Sequence, residues 1–281
     1  MELTGGQALA RQLVIEGVTD VFGIPGVQLD FAMDALSEVS DDLIFRNTRH
    51  EQAATYMADG FARSSGRVGV SLVVPGPGVL NTLAALSTAY ACSSPVLQLA
   101  GQIPSAAIGS GHGLLHEIPD QSGVLAALTK WSGLARSPAE VPRLVHDAFG
   151  HLRSGRPRPV ALEIPPDVLA AKQEVSVVAE AAVPQRSVPD EQEIERAAQL
   201  LAEARRPVIC AGWGVQAAGA TAQLRRLAEA LGAPVVMSQH GRGSLDDRHP
   251  LALTSLGGPE VLGRADVVLA VGTRFRELDG S

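Results

Sequence analysis

Short apolar runs alternate with amphipathic segments along most of the chain. Each run is rich in Val, Ile, Leu or Phe, and the segments between them place apolar residues at helical spacing. The predicted strands are 18–24, 42–46, 67–74, 95–101 and 159–165, and then 207–214, 234–239 and 266–272. This alternation predicts an α/β fold with two doubly wound, mostly parallel-sheet domains.

The pattern is lost between the two sets of strands. Residues 168–189, VLAAKQEVSVVAEAAVPQRSVP, are rich in Ala, Val and Pro, which is typical of an interdomain linker. The predicted domains are therefore residues 1–167 and residues 190–281. The second domain is expected to be truncated, because the sequence reaches Ser281 just after a strand, without a closing helix.

Two segments carry helix signals that bear on the site. Thr4 and Gln7 have the spacing of a capping box that opens a helix. In RHEQAATYMADGFA, residues 49–62, the carboxylate of Glu51 stands at the first turn of a predicted helix. The face expected to be buried there consists of Ala53, Ala54, Met57, Ala58 and Phe61.

Composition and charge exclude several classes of protein. The 281 residues are 46% hydrophobic, with a net charge of −7, so no basic face for nucleic acid is expected. No apolar run is long enough to span a membrane, and MELTGGQALA has no signal-peptide pattern. Cys92 and Cys210 lie far apart in apolar runs, which fits a reducing cytosol, so a cytoplasmic location is expected.

Glu51 has one structural interpretation and two functional ones. A zinc site of the HExxH type fails, because position 54 is Ala instead of His. The carboxylate also suits a helix start electrostatically, since the helix dipole favours acids there. It is otherwise a candidate acid or base, and the local sequence does not decide between this role and that of a helix-start acid.

Two glycine turns lie between a strand and a helix. VVPGPGVLN, residues 73–81, would let a ligand approach the backbone, although a plain tight turn is the alternative. GWGVQA, residues 212–217, matches the dinucleotide pattern G-x-G-x-x-A. No acid follows at the distance expected for a ribose contact, so a structural turn is favoured there.

A polar loop, GHGLLHEIPDQ, lies between the two glycine turns, at residues 111–121. It holds His112, His116, Glu117, Asp120 and Gln121. Catalytic groups often lie on such loops, but an exposed polar loop without function has the same composition.

The order of these motifs resembles one family. FGIPG, RHEQAATYMADGFAR, PGPGVLN, SPVLQLAGQIP and SGRPRPVALEIPPDV follow one another as in the pyrimidine-binding domain of enzymes that use thiamine diphosphate (thiamine pyrophosphate). RPVICAGWGV, LGAPVV and DVVLAVGTR are similar to the central domain of that family. The group it resembles comprises acetolactate synthases and 2-oxo-acid decarboxylases.

The resemblance implies decarboxylation of a 2-oxo acid with aldehyde release or carboligation. It implies that Glu51 hydrogen-bonds the N1′ nitrogen of the aminopyrimidine and is catalytic. Further cofactor contacts implied by position are Pro25, Gly26, Val27, Gly76, Pro77, Gly78 and Asn81. Val27, His116 and Gln121 are the implied substrate residues.

Two departures from the family pattern change the expected chemistry. His116 replaces a glutamine of acetolactate synthases, and as a proton donor after decarboxylation it would favour aldehyde release over ligation. TSLGGPE, residues 254–260, replaces the flavin-contacting G-M-H-G of those synthases. FAD is therefore not expected, and a decarboxylase of another 2-oxo acid is at least as well supported as an acetolactate synthase.

The resemblance also places part of the site outside this sequence. Diphosphate and Mg²⁺ are bound in the family by a third domain with a GDG motif, which does not occur here. The site lies between subunits, so a homodimer or tetramer is implied, and the chain alone is expected to be inactive. The rival hypotheses are a nucleotide-binding oxidoreductase, and a non-catalytic half-enzyme that needs a separate diphosphate-binding chain.

Overall fold

A computed structural model gives the fold of residues 1–182 and 188–274. Residues 1–182 belong to one compact unit and residues 188–274 to a second. Each unit is built around an open sheet whose paired strands run parallel, so the predicted α/β fold class is confirmed. Among the described residues, no helix combines the length and apolar character needed to cross a membrane.

Parallel strands form the central sheet of the first unit. The strands of this unit are β1 (Glu2–Thr4), β2 (Asp20–Gly23), β3 (Ile44–Asn47), β4 (Gly69–Val73), β5 (Val96–Gly101), β6 (Ser132–Leu134), β7 (Val160–Ile164) and β8 (Lys172–Glu174). The sheet has the order β3-β2-β4-β5-β7-β6, while β1 and β8 form a separate antiparallel pair. The sequence pattern missed β1, β6 and β8, which are short.

Helices cover both faces of this sheet. They are α1 (Gly5–Ile15), α2 (Asp30–Glu38), α3 (Glu51–Ser65), α4 (Pro77–Cys92), α5 (Gln121–Leu128), α6 (Val141–Arg153) and α7 (Pro166–Ala170). Alternate residues of β5 separate into different cores: Leu97 and Leu99 belong to one, and Ala100 to another. The first core contains the buried faces of α1, α2 and α6, whereas α3 and α4 pack together on the other face. The predicted capping box is confirmed, with Thr4 and Gln7 bonding reciprocally at 3.0 and 3.1 Å.

The strand order reverses between β2 and β4. The chain leaves β2 for β3 on one side and then returns to β4 on the other side. Such a reversal opens a crevice at the carboxyl ends of the two strands, where ligands bind in doubly wound folds.

The segment predicted as a linker packs onto the first unit over its described part. Val175 donates its N–H to the Met1 carbonyl at 2.9 Å. The Gln12 amide bonds both backbone groups of Val178, at 2.9 and 3.0 Å. The compositional change at 168 therefore does not mark the end of the packed unit, because polar side chains of α1 hold an extended backbone that lacks an apolar pattern.

The buried face of α3 differs from the predicted one. Ala54 and Ala58 are buried as expected, but Met57 is 44% exposed and Ala53 is exposed. Thr55 takes a core position because its hydroxyl donates to Gln98 Oε1 at 2.9 Å. A satisfied hydroxyl is stable in the interior, which an apolar periodicity cannot detect.

The second unit has a smaller sheet of order β11-β10-β9-β12. Its strands are β9 (Pro207–Ala211), β10 (Val235–Met237), β11 (Ala252–Thr254) and β12 (Val267–Val271), all parallel to their neighbours. Its helices are α8 (Glu191–Glu203), α9 (Trp213–Ala217), α10 (Thr221–Leu231) and α11 (Gly258–Leu262).

Candidate cofactor and substrate site

The predicted site residues of the first unit follow the carboxyl ends of its strands. Gly26 and Val27 follow β2, and Glu51 follows β3. Gly76 follows β4, and the loop of His116 follows β5. Because all four strands are parallel neighbours, these loops meet at the same edge of the sheet, next to the reversal of strand order.

Glu51 is the first residue of α3 and is half-buried. The ring of His50 caps this helix by accepting the Gln52 N–H at 3.1 Å. Oε2 of Glu51 accepts a hydrogen bond from Asn81 Nδ2 at 2.9 Å. No described residue donates a hydrogen bond to the other oxygen, Oε1, so it is available to a bound molecule.

The turn at Gly76 requires glycine. Its φ is +57°, in the left-handed region, and a side-chain carbon would lie 2.2 Å from the His116 carbonyl oxygen. Its N–H donates to Gln121 Oε1 at 2.7 Å. The turn that opens α4 is therefore held between His116, in the polar loop, and Gln121, the first residue of α5.

The Val74 side chain packs against Gly26, which follows β2, and against Gly78, at the start of α4. A side-chain carbon at Gly26 would lie 2.3 Å from Val74 Cγ1, and one at Gly78 would lie 2.7 Å from Cγ2. Both glycines thus leave room for a β-branched residue. Around this contact Pro25, Val27 and Pro77 are exposed, with Val27 at 62%.

His116 has an unusual backbone. Its φ of +68° is uncommon outside glycine, and its neighbour Glu117 holds the loop by accepting the N–H groups of Gly111 and Leu114 at 2.9 and 2.8 Å. These backbone bonds, Leu114 foremost, lower the pKa of Glu117. Strain held by surrounding bonds is a feature of functional loops.

Two buried polar atoms near this loop have no hydrogen-bond partner among the described residues. They are Nδ1 of His116 and Oε1 of Gln28, whose Nε2 donates to the Leu115 carbonyl at 3.4 Å. Buried polar atoms are normally satisfied, so these two are candidates for contact with a bound molecule. Gln28 was not predicted from the sequence.

Gln121, which the sequence predicts as a substrate residue, is buried between the loops of this edge. It is 3% exposed, and its Nε2 donates to the Gly101 carbonyl and to Glu163 Oε2, at 2.9 and 2.8 Å. Its carbonyl oxygen is occupied by Gly76 N–H. Both groups of this amide are therefore used within the protein, where they link the loops.

Glu163 lies at the centre of this buried network and was not singled out in the sequence. It is 1% exposed and also accepts hydrogen bonds from Gln102 and Ser122, at 2.9 and 2.5 Å. Burial raises the pKa of Glu163, although these hydrogen bonds act in the opposite direction. The available signal was a lone acid inside the apolar strand VALEIP.

The residues of this edge fit the aminopyrimidine half of thiamine diphosphate. Glu51 offers a free carboxylate oxygen, and the turn beside it is held in place where Gly76 and Gly78 pack against His116 and Val74. Within the described residues, no group of three or more His, Cys, Asp or Glu side chains converges as a metal site would require.

The GWGVQA turn of the second unit is a packing turn. The N–H groups of Gly212 and Gly214 donate to Val271 and Gly272 at 2.9 and 3.1 Å. A side-chain carbon at either glycine would lie 2.3 to 2.6 Å from Gly272. Because these N–H groups bind the end of β12, they do not face a pyrophosphate, and the dinucleotide interpretation loses its basis.

Fold and site together define a class of protein. An open parallel sheet with a glycine turn, a carboxylate and an amide at its switch point is a cofactor-binding α/β domain. Two models of thiamine pyrophosphate enzymes match the chain: the N-terminal TPP binding domain over residues 3–124 and the central domain over 194–281. The chain belongs to the thiamine pyrophosphate enzyme family.

Similar proteins include a decarboxylase and several synthases. A probable 2-ketoarginine decarboxylase of Pseudomonas aeruginosa is 44% identical over 99% of this chain and 50% of its own length. A probable acetolactate synthase large subunit of Methanocaldococcus jannaschii is 39% identical, over 98% of this chain and 48% of its own length. The acetolactate synthase isozyme 3 large subunit of Escherichia coli is 37% identical, over 97% and 49%. The chain thus spans about half the length of these relatives.

Proposed function

We propose that this chain supplies the aminopyrimidine-binding half of a thiamine diphosphate site in an enzyme that decarboxylates a 2-oxo acid. The observation that carries the proposal is the Glu51–Asn81 pair, 2.9 Å apart, beside the glycine turn at Gly76. It lies within the region matched by the N-terminal TPP binding domain. Relatives named as a decarboxylase and as acetolactate synthases support a 2-oxo acid as the substrate class.

Each residue of the site has a distinct task in this proposal. Asn81 holds Oε2 of Glu51, which leaves Oε1 to exchange a proton with the pyrimidine nitrogen. Gly76 and Gly78 let the His116 carbonyl and the Val74 side chain pack closely against the turn, which fixes its position beside Glu51. Thiamine diphosphate, when bound, supplies a ring that accepts the electrons released as carbon dioxide leaves.

Val27, His116 and Gln28 form the substrate side of the proposal. The orphaned polar atoms of His116 and Gln28 lie on linked loops, while the Val27 side chain is exposed beside them. His116 Nδ1 or Nε2 would return a proton to the carbon that loses carbon dioxide. This favours release of an aldehyde over ligation to a second 2-oxo acid.

The remaining parts of the proposal lie outside this sequence. Mg²⁺ and the diphosphate would be bound by a further domain, on the same or another polypeptide, and the complete site would form in a homodimer or tetramer. No FAD is proposed, and the proposed location is the cytoplasm. The half-enzyme hypothesis differs in placing the diphosphate domain on a separate chain.

The test uses the full-length product of the gene. Calorimetric titration with thiamine diphosphate and Mg²⁺ measures cofactor binding, and release of carbon dioxide is then followed with pyruvate and with 2-oxo acids of longer, polar side chains. Expected results are saturable cofactor binding, decarboxylation of at least one acid, and loss of turnover in Glu51→Gln. Wild-type protein that binds no thiamine diphosphate would overturn the proposal, and NADH binding would favour the oxidoreductase instead.

A further inference from the structure

A buried carboxylate is connected to the proposed site through one intervening residue, Gln121. Glu163 on β7 is 1% exposed, and each of its oxygens accepts hydrogen bonds. Oε2 accepts from Gln121 and Gln102 at 2.8 and 2.9 Å, and Oε1 accepts from Ser122 at 2.5 Å. An acid buried this completely with three donors is a built feature, and the proposed chemistry does not use it.

Glu163 fixes the orientation of the Gln121 amide. A carboxylate is an acceptor only, so the amide must present its NH₂ group to Glu163 Oε2, at 2.8 Å. The same NH₂ group donates to the Gly101 carbonyl at 2.9 Å. The amide oxygen is therefore forced to point the other way, and an inverted amide would place two acceptors against each other.

The fixed amide oxygen holds the glycine turn. Gln121 Oε1 accepts the N–H of Gly76 at 2.7 Å, at the residue that caps α4. Gly76 is buried with φ +57°, and its neighbour in space is the His116 carbonyl. Loss of the Gln121 bond would leave a buried N–H unpaired in a backbone conformation that few residues adopt.

We propose that Glu163 is a positioning residue of the thiamine diphosphate site. It acts through Gln121 on the N–H of Gly76 and so sets the turn against which the aminopyrimidine packs. The part concerning the cofactor rests on the proposed function, whereas the part concerning the turn does not. Glu163 itself touches neither cofactor nor substrate in this scheme.

The test is Glu163→Gln in the full-length protein. Glutamine keeps the size of the side chain but removes its charge, so the hydrogen bonds that it accepts from Gln121 and Gln102 are weaker than those to a carboxylate. Exchange of the amide hydrogens of Gly76 and Gly78 is expected to accelerate about tenfold, as for one weakened buried hydrogen bond. The Kd for thiamine diphosphate is expected to rise by a similar factor, with kcat at saturating cofactor changed far less.

Two controls separate positioning from general destabilisation. Val145→Ala removes buried apolar volume from α6, in the core that also contains the buried faces of α1 and α2. It serves as a control for lost stability. The second control is a cycle with Gln121→Met: if Glu163 acts through Gln121, adding Glu163→Gln to Gln121→Met accelerates exchange at the turn no further. Exchange in Glu163→Gln equal to that in Val145→Ala, or an undiminished effect in the double variant, would overturn the inference.

The two proposals fail in different ways. Hydrogen exchange at the turn is measured on apo protein and needs no cofactor. If wild-type protein binds no thiamine diphosphate, the proposed function fails while the exchange comparison still decides whether Glu163 sets the turn. If cofactor binds but Glu163→Gln leaves exchange and Kd unchanged, only the role of Glu163 is lost.

Discussion

Asn81 donates its side-chain amide to Oε2 of Glu51 across 2.9 Å, which links the beginnings of α3 and α4. The two residues belong to different helices and are 30 positions apart in the chain. The bond fixes one carboxylate oxygen and leaves the other open. It therefore gives the acid a defined direction, which a mobile side chain at a helix end would lack.

Replacing Glu51 with Gln should abolish most turnover of the full-length protein. The amide cannot exchange a proton with the pyrimidine nitrogen, and acid–base contributions of this kind are worth about 10²- to 10⁴-fold. Steady-state decarboxylation measures the effect, with Glu174→Gln, an exposed acid on β8, as the matched control. Turnover within threefold of wild type would exclude Glu51 as the acid–base residue.

Replacing Asn81 should distinguish orientation from charge. Asn81→Ala removes one hydrogen bond to a carboxylate, so affinity for thiamine diphosphate should fall by about 10-fold. Asn81→Asp sets a second carboxylate where the first accepts a bond at 2.9 Å, and the repulsion should weaken binding further at neutral pH. Titration calorimetry compares the three proteins, and equal affinities in both variants would contradict this account.

Replacing Gly76 with Ala should destabilise the first unit strongly. The new side-chain carbon would lie 2.2 Å from the His116 carbonyl oxygen, at a φ of +57°. We expect a loss of about 3 kcal/mol, which is roughly 6–12 °C in Tm for a unit of this size. Gly109→Ala is the matched control, since its φ is also positive but no atom lies within 4 Å, and it should cost only about 1 kcal/mol.

His116 gives two separable predictions, one for stability and one for product. His116→Gly should be about 1 kcal/mol more stable than His116→Ala, because glycine adopts a φ of +68° without strain. Both variants lack the imidazole and should shift the products from aldehyde towards ligation. Chemical denaturation and product analysis measure these effects, and an unchanged rate and product ratio would remove His116 from the chemistry.

The buried acid Glu163 should make stability depend on pH. Burial raises the pKa of Glu163, so the folded protein binds its proton more tightly than the unfolded chain does. This contribution is present at pH values below the ordinary pKa of a glutamate and is lost as pH rises through the raised pKa. The free energy of unfolding of Glu163→Gln should lack this pH-dependent part, and parallel pH curves for both proteins would contradict it.

The sequence alone was sufficient for the fold class and for the positions of the glycine turns. Apolar runs of strand length, such as 67–74 and 95–101, favour buried strands, and PGPG between a strand and a helix permits few conformations. The capping box at Thr4 and Gln7 was equally local. These features depend on neighbours in the chain, which a sequence displays directly.

Contacts between distant segments were decided by the tertiary structure. The bonds Glu51–Asn81 and Gly76–Gln121 join residues 30 and 45 positions apart. The three hydrogen-bond partners of the buried Gln121 amide also come from segments distant in the chain or from their loops, which the sequence does not display. Glu163 was hidden inside an apolar strand, since whether a buried acid is satisfied depends on groups that the strand itself does not contain.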